Sequence, residues 1–323
     1  MGERTELIIF FAVYSTLVAS VIVVNYFYEK KRKAVRSAVD GTESGDVGDD
    51  AMVDHFLAGR QTPLFIIVLS TFSTIFSGYT MVGVPNETNS KGFTSLRWVQ
   101  AINSIIISMI IFVPRMRGLA EKRNYTSTVD FITDRYRSES LRLVMIAIMV
   151  ISDIIYCIGQ FAAISSLIET VTNGQIKGIY GSIFIGGLIF LLECLGGLRS
   201  VMWTDAIQTA FMLISFLVVP FILNSAFGDF TILTEQQDCE NAVVGSCGLN
   251  ELGSPYTTYP EVSYGTNAVS FYLGCMMYFV LPQIIQRVYA SSNQQNLKVT
   301  LGVLTLSPYL CMLPGNYDVL THM

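Results

Sequence analysis

Eight runs of about 20 predominantly apolar residues recur along the chain, near 6–28, 63–84, 96–114, 141–170, 179–197, 204–224, 266–285 and 299–318. At about 1.5 Å of rise per residue, a helical run of that length crosses a hydrocarbon core of about 30 Å. Backbone groups in lipid must satisfy their own hydrogen bonds, so such runs predict an all-α multi-pass membrane protein. The composition agrees, with 14% charged residues against roughly 25% in an average soluble domain. The first run lacks a basic start and a small-residue cleavage site, so it reads as a retained helix rather than a signal peptide.

Lysine and arginine set the orientation. With the N-terminus outside, the inner segments 28–62, 115–142, 198–204 and 286–298 hold all but four of the 20 basic residues. The exceptions are Arg4, Lys91, Arg97 and Lys177. This predicts that the run "EKKRKAVR" (29–36) meets the cytoplasm and the lipid headgroups there; the membrane itself is expected to be the plasma membrane. The net charge of −5 comes from local acidic clusters, one at Asp40 to Asp54 and one in the outer loop 225–264, and nothing points to nucleic acid. "DGTESGDVGDD" reads as a disordered linker. Cys157, Cys194, Cys275 and Cys311 fall inside spans as packing residues, while Cys239 and Cys247 share the outer loop, with or without a disulfide. No metal-ligand spacing and no nucleophile–base constellation is visible, so no catalytic residue is assigned and the chain is not read as an enzyme.

Within the second run, "STFSTIFSGYTMVGVP" (70–85) carries hydroxyls, two glycines and a proline. Such residues serve close helix packing, and equally a broken helix that offers carbonyls and hydroxyls to a cation at mid-membrane depth. Tyr278 and Pro282 in the seventh run mark a second break, because Pro282 removes a backbone donor and frees the carbonyl near Tyr278. Two interrupted spans at corresponding places favour the transport reading. Asp153 sits mid-span with Tyr156 and Gln160 at i+3 and i+7, so this face is predicted to look into the bundle. The short segment 198–204 makes the flanking runs antiparallel neighbours, with Ser182 and Gly186 as a small-residue contact. Loop 115–140 is predicted to lie along the inner surface, ending in an amphipathic stretch with Val129, Phe131, Ile132 and Tyr136.

"GGLRSVMWTDAIQTAFM" (196–212) closely resembles the signature of the sodium:solute symporter family. "DHFLAGRQTPLF" (54–65) resembles the approach to that family's first core helix, and "PQIIQRVYA" (282–290) the end of its sixth. "FSGYTMVGVP", "IYC" (155–157) and "YFVLP" (278–282) resemble the sodium/proline carrier branch. The resemblance implies an inverted-repeat transporter core of five plus five helices, incomplete here, with one extra N-terminal helix. It implies Na+ as coupling ion, with Ser73 and Phe76 giving backbone carbonyls and Asp205 acting near the inner mouth. Ser77, Gly78, Tyr79, Tyr156, Gln160, Tyr278 and Pro282 would line or shape the solute site.

Ile75 and Gly274 stand where proline carriers have Asp and Trp, and Asp153 is the expected substitute carboxylate for sodium. The expected organisation is an extra helix (1–28), a cytoplasmic linker (29–62), a first repeat (63–224), an extracellular loop (225–265) and the start of a second repeat (266–323). Family members continue through further core helices, so the chain reads as C-terminally truncated. The expected function is sodium-coupled symport of a small organic solute, an amino acid such as proline or a similar metabolite, across the lipid bilayer. A non-transporting relative acting as sensor, regulator or assembly partner is the alternative.

Overall fold

The computed structural model describes residues 3–39, 47–91, 95, 97–227 and 264–312. Among these the chain is helical, with no strand beyond one isolated bridge between Thr62 and Ser291. The helices are α1 (Glu3–Val39), α2 (Val47–Leu57), α3 (Leu64–Ile75), α4 (Gly78–Lys91), α5 (Arg97–Arg123), α6 (Thr128–Tyr136), α7 (Glu139–Val171), α8 (Gly178–Phe227), α9 (Tyr264–Met276), α10 (Pro282–Ala290) and α11 (Gln294–Leu304). Short 3-10 turns at Ala58–Arg60 and Met277–Val280 lead out of α2 and α9. Four of the described helices are long and apolar enough to cross a membrane, and the bent pairs α3–α4 (61°) and α9–α10 (49°) bring the number to six. Cys239 and Cys247 lie outside the described residues.

Four boundaries differ from the sequence-based expectation. The basic run after residue 28 continues α1 to Val39, and the second half of the acidic stretch opens α2. A linker was expected in both places. The expected loop 198–204 is helical, and α8 runs for 50 residues. A straight helix of that length would measure about 75 Å; instead Gly197 interrupts it at φ 58°, ψ −172°, a conformation suited to glycine. Finally α5 continues through Pro114 to Arg123, because Arg117 is buried and donates to the carbonyl of Ser291 (2.8 Å). The last run has α11 ending at Leu304, a further helical turn at 307–312, and its remainder beyond the described residues.

Small residues bring α8 onto α7. A Cβ on Gly178 would lie 2.1 Å from the carbonyl oxygen of Ser165, and one on Gly186 would lie 2.8 Å from the Phe161 ring. Between them Ser182 donates to the carbonyl of Phe161 (3.3 Å). Backbones this close are what a small residue every fourth position permits. Nearer its N-terminal half, α7 exposes Ile151, Ile154 and Ile158, a surface suited to lipid. Ser127 and Asp130 form a capping box at the start of α6, and Val129 is buried while Phe131 packs on the core. That core, with Met109, Val113, Phe279, Ile285 and Leu301, ties α5 to α9, α10 and α11. A second cluster of Ile66, Ile67, Met202 and Ala206 joins α3 to α8.

Candidate functional site

The break between α3 and α4 redirects two backbone donors. In a continuous helix the N–H of Ser77 would close on the carbonyl of Ser73, and that of Thr80 on the carbonyl of Phe76. Here Ser77 N donates to Thr80 Oγ1 (3.3 Å) and Thr80 N to the carbonyl of Ser77 (2.9 Å). Phe76 itself is extended, at φ −96° and ψ 100°. The two carbonyls released from their helical partners are those expected to serve a cation.

The second break behaves differently. Leu281 takes φ −58°, ψ 139°, and Pro282 starts α10 without needing a donor. The carbonyl of Tyr278, expected to be freed, accepts from Leu281 N (3.1 Å), and that of Val280 accepts from Thr128 Oγ1 (3.2 Å). This break is closed on itself, so its contribution to a site comes from side chains.

The breaks face a cavity of about 710 Å³ between α3, α4, α5, α7 and α9–α10. Ser77, Tyr79, Tyr156, Gln160 and Tyr278 line it, with Thr74, Ile75, Gly274 and Gln283. Ser77 at the break and Tyr156 on α7 line the same cavity. Gly78 packs on Gln160, whose Oε1 would be 3.4 Å from a Cβ there. Pro282 is not on the wall, although its neighbours Leu281 and Gln283 are. No charged side chain lines the cavity among the described residues.

The two expected carboxylates lie elsewhere. Ser152 and Tyr156 point into the cavity but Asp153 does not line it, and its Oδ1 is buried without a hydrogen-bond partner. Asp205 belongs to a network below the break: its Oδ2 accepts from Arg287 Nη2 (2.6 Å) and Ser70 Oγ (2.8 Å), while Arg287 Nε donates to Ser70 Oγ (2.8 Å). Arg287 and Ser70 were not singled out from the sequence. The signal was present, since an arginine in the apolar pattern of "PQIIQRVYA" needs a partner.

A roof was also missed. Tyr79, Trp98 and Phe271 line the cavity, with ring centroids 5.5 Å apart for Tyr79–Trp98 and 5.1 Å for Trp98–Phe271. Glu87 holds it: Oε2 accepts from Trp98 Nε1 (2.7 Å), Oε1 accepts from Arg97, and Arg97 lies 5.1 Å over the Phe271 ring.

The sequence motifs themselves meet one another. Arg199 Nη2 donates to Asp54 Oδ1 (3.0 Å) and to the carbonyl of Ala58 (2.9 Å). A Cβ on Gly197 would lie 2.7 Å from the carbonyl oxygen of His55. Thr62 N donates to the carbonyl of Ala290 (3.2 Å). The segments around residues 54–62, 197–205 and 287–290 therefore form one junction.

A solved structure of a Na+-coupled sialic acid symporter superposes with a TM-score of 0.65 at 20% identity, covering 96% of this chain and 59% of that one. Human sodium-coupled monocarboxylate transporter 2 is 27% identical over 185 residues, 57% of this chain and 29% of the relative. The sodium/proline symporter of Escherichia coli (strain K12) is 26% identical over 198 residues, 58% of this chain and 38% of the relative. The chain thus matches less than half the length of either. The profile of the Sodium:solute symporter family matches residues 55–316, a stretch that takes in both broken spans and, but for Asp54, all three converging motifs, and the chain belongs to that family.

Proposed function

We propose that this chain carries the ion- and solute-binding half of a sodium-coupled symporter working by alternating access. The observation behind this reading is the redirected pair of donors at Ser77 and Thr80. They leave the carbonyls of Ser73 and Phe76 for Na+ at the edge of a solute-sized cavity. Ser77, Tyr156, Gln160 and Tyr278 bind the solute, with Gly78 and Pro282 shaping the backbone and Tyr79 closing from above. Asp205 acts through its pair with Arg287 as an inner gate, and Asp153 serves as an auxiliary carboxylate for the ion.

The wall chemistry narrows the solute. A cavity with no charged side chain cannot neutralise a solute's charge by a salt bridge. A carboxylate there is compensated by the bound Na+ and by the N-terminus of α4, which begins at Gly78. The relatives are named for proline, monocarboxylates and sialic acid, all acids. The apolar residues Ile75, Ile102 and Met149 on the same wall suit a small acid with an apolar body, proline among the choices.

In this reading the N-terminus is outside at the plasma membrane, 63–224 is the first repeat, and α9–α10 opens the second. Each Na+ crossing an inside-negative potential of about 100 mV releases about 2.3 kcal/mol. A tenfold gradient adds about 1.4 kcal/mol, for roughly several hundredfold accumulation per ion. The test is uptake of labelled proline and of short monocarboxylates into proteoliposomes, with an inward Na+ gradient against a matched K+ gradient. Na+-dependent accumulation of an acid supports the reading. Equal uptake in both gradients, or none of any acid, overturns it for the chain alone and favours a regulatory relative.

A further inference from the structure

A second cavity, about 410 Å³, lies away from the solute site, between α1, the start of α3 and the inner part of α8. Its walls are Val21, Val24, Ile66 and Met202, and Tyr28, Gln61, Arg199 and Trp203 ring one end. The residues lining it on α1 run from Ser20 to Tyr28, about 12 Å of helix. The cavity therefore reaches from the end of the apolar stretch Phe11–Tyr28 well into hydrocarbon depth. Val23, Val24 and Phe27 beside it are more than half exposed, and Trp203 is 48% exposed. Its mouth opens on a surface made for lipid tails, with an aromatic pair where headgroups begin.

The polar end is cationic. Arg199 stacks over the Tyr28 ring at 5.2 Å and makes its hydrogen bonds to Asp54 and Ala58 through Nη2 alone. Lys30 and Lys31, both exposed, follow within one turn of Tyr28. Three cations against two carboxylates, Asp54 and the neighbouring Glu29, leave a net positive rim above an apolar slot.

We propose that this cavity seats one anionic phospholipid. One acyl chain lies between Val21, Val24 and Ile66, and the phosphate sits at the rim formed by Arg199, Lys30 and Lys31. The lipid fills the gap between the first helix and the core, so it also fastens α1. The proposal rests on the orientation given above only for the choice of the cytoplasmic leaflet.

Trp203 reports on the site directly. The chain has two tryptophans, and Trp98→Phe leaves Trp203 as the sole emitter. The full chain is placed in nanodiscs of phosphatidylcholine and phosphatidylglycerol, with bromine on the acyl chains of one lipid or the other at equal mole fraction. Brominated phosphatidylglycerol is expected to quench Trp203 more than brominated phosphatidylcholine. Lys30→Gln with Lys31→Gln should reduce the anionic preference by about fivefold per lysine removed. Equal quenching by the two labels means only bulk lipid and overturns the site. Absence of quenching by both means a cavity closed to lipid and overturns it equally. Preference unchanged in the double variant overturns the assignment of the headgroup to this rim. The readout needs no uptake, so a chain that transports nothing in proteoliposomes leaves this result intact.

Discussion

Arg287 on α10 donates through Nη2 to Asp205 Oδ2 on α8 at 2.6 Å, and both side chains are largely buried, 8% and 15% exposed. Removing one partner leaves a desolvated charge, so Asp205→Asn or Arg287→Gln alone should lower stability by about 3–5 kcal/mol. The double variant should fall short of the sum by about 1–3 kcal/mol. Thermal unfolding of the four proteins, followed by circular dichroism in one detergent, checks this. Additive losses would mean that the two groups do not depend on each other.

Gly197 is the turn within α8, and its φ of 58° with His55 pressed against it leaves no room for a side chain. Gly197→Ala combines a left-handed strain with a steric clash and should cost about 1–3 kcal/mol. Gly187, in the same helix with open space around its Cβ position, is the control. Gly187→Ala should be neutral or stabilising by about 0.5–1 kcal/mol. The comparison is read from the same unfolding curves, and equal losses at both positions would sink the strain argument.

What could be read from the sequence follows from how local each cause is. The α3–α4 break was legible because Ser77, Gly78 and Thr80 sit within one turn, and the α9–α10 break because Pro282 dictates it. The site of the α8 turn was displaced from 198–204 to Gly197, because a polar stretch with Arg199 and Asp205 resembles a loop until its partners are known. Those partners, Asp54 and Arg287, come from segments 145 and 82 residues away. Asp153 lies off the cavity wall for another reason. Successive helical residues differ by about 100° around the axis, so a face shared with Tyr156 and Gln160 still leaves Asp153 on its edge.

Tyr156 lines the cavity beside Ser77, so its hydroxyl is placed to bond a solute. A neutral hydrogen bond contributes about 0.5–1.5 kcal/mol. Tyr156→Phe should therefore weaken binding of an acidic solute about two- to tenfold without unfolding the protein, as read by the solute concentration at half-maximal uptake. An unchanged half-maximum with a lowered plateau would place Tyr156 in the conformational step instead.

Asp134, outside the spans, accepts from the Tyr125 hydroxyl and then from Arg123. The tyrosine hydrogen bond, followed by the arginine, holds its carboxyl below the ordinary range. The folded value therefore lies below the unfolded one of about 3.9. Stability from this group is present above that unfolded value and is lost as pH falls through the folded one. Below about pH 4 the unfolding midpoint should fall more steeply for the native chain than for Asp134→Asn. Parallel acid limbs would show that the carboxylate contributes nothing to folding.

Cys275 provides a native probe of the roof. It lines the cavity yet is only 7% exposed, beneath the layer of Tyr79, Trp98 and Phe271 that Glu87 holds in place. Glu87→Gln keeps the shape but removes the charge that binds Arg97 and strengthens the bond from Trp98, so the open arrangement becomes more populated. A loss of about 1.4 kcal/mol at the roof corresponds to about a tenfold gain in the open population. Alkylation of Cys275 by a membrane-impermeant maleimide, followed by peptide mass spectrometry, should accelerate by that factor. Cys311, buried in another cluster with Phe76 and Leu304, should keep its rate. Acceleration at both thiols would indicate general loosening, and acceleration at neither would mean that the roof does not gate the cavity.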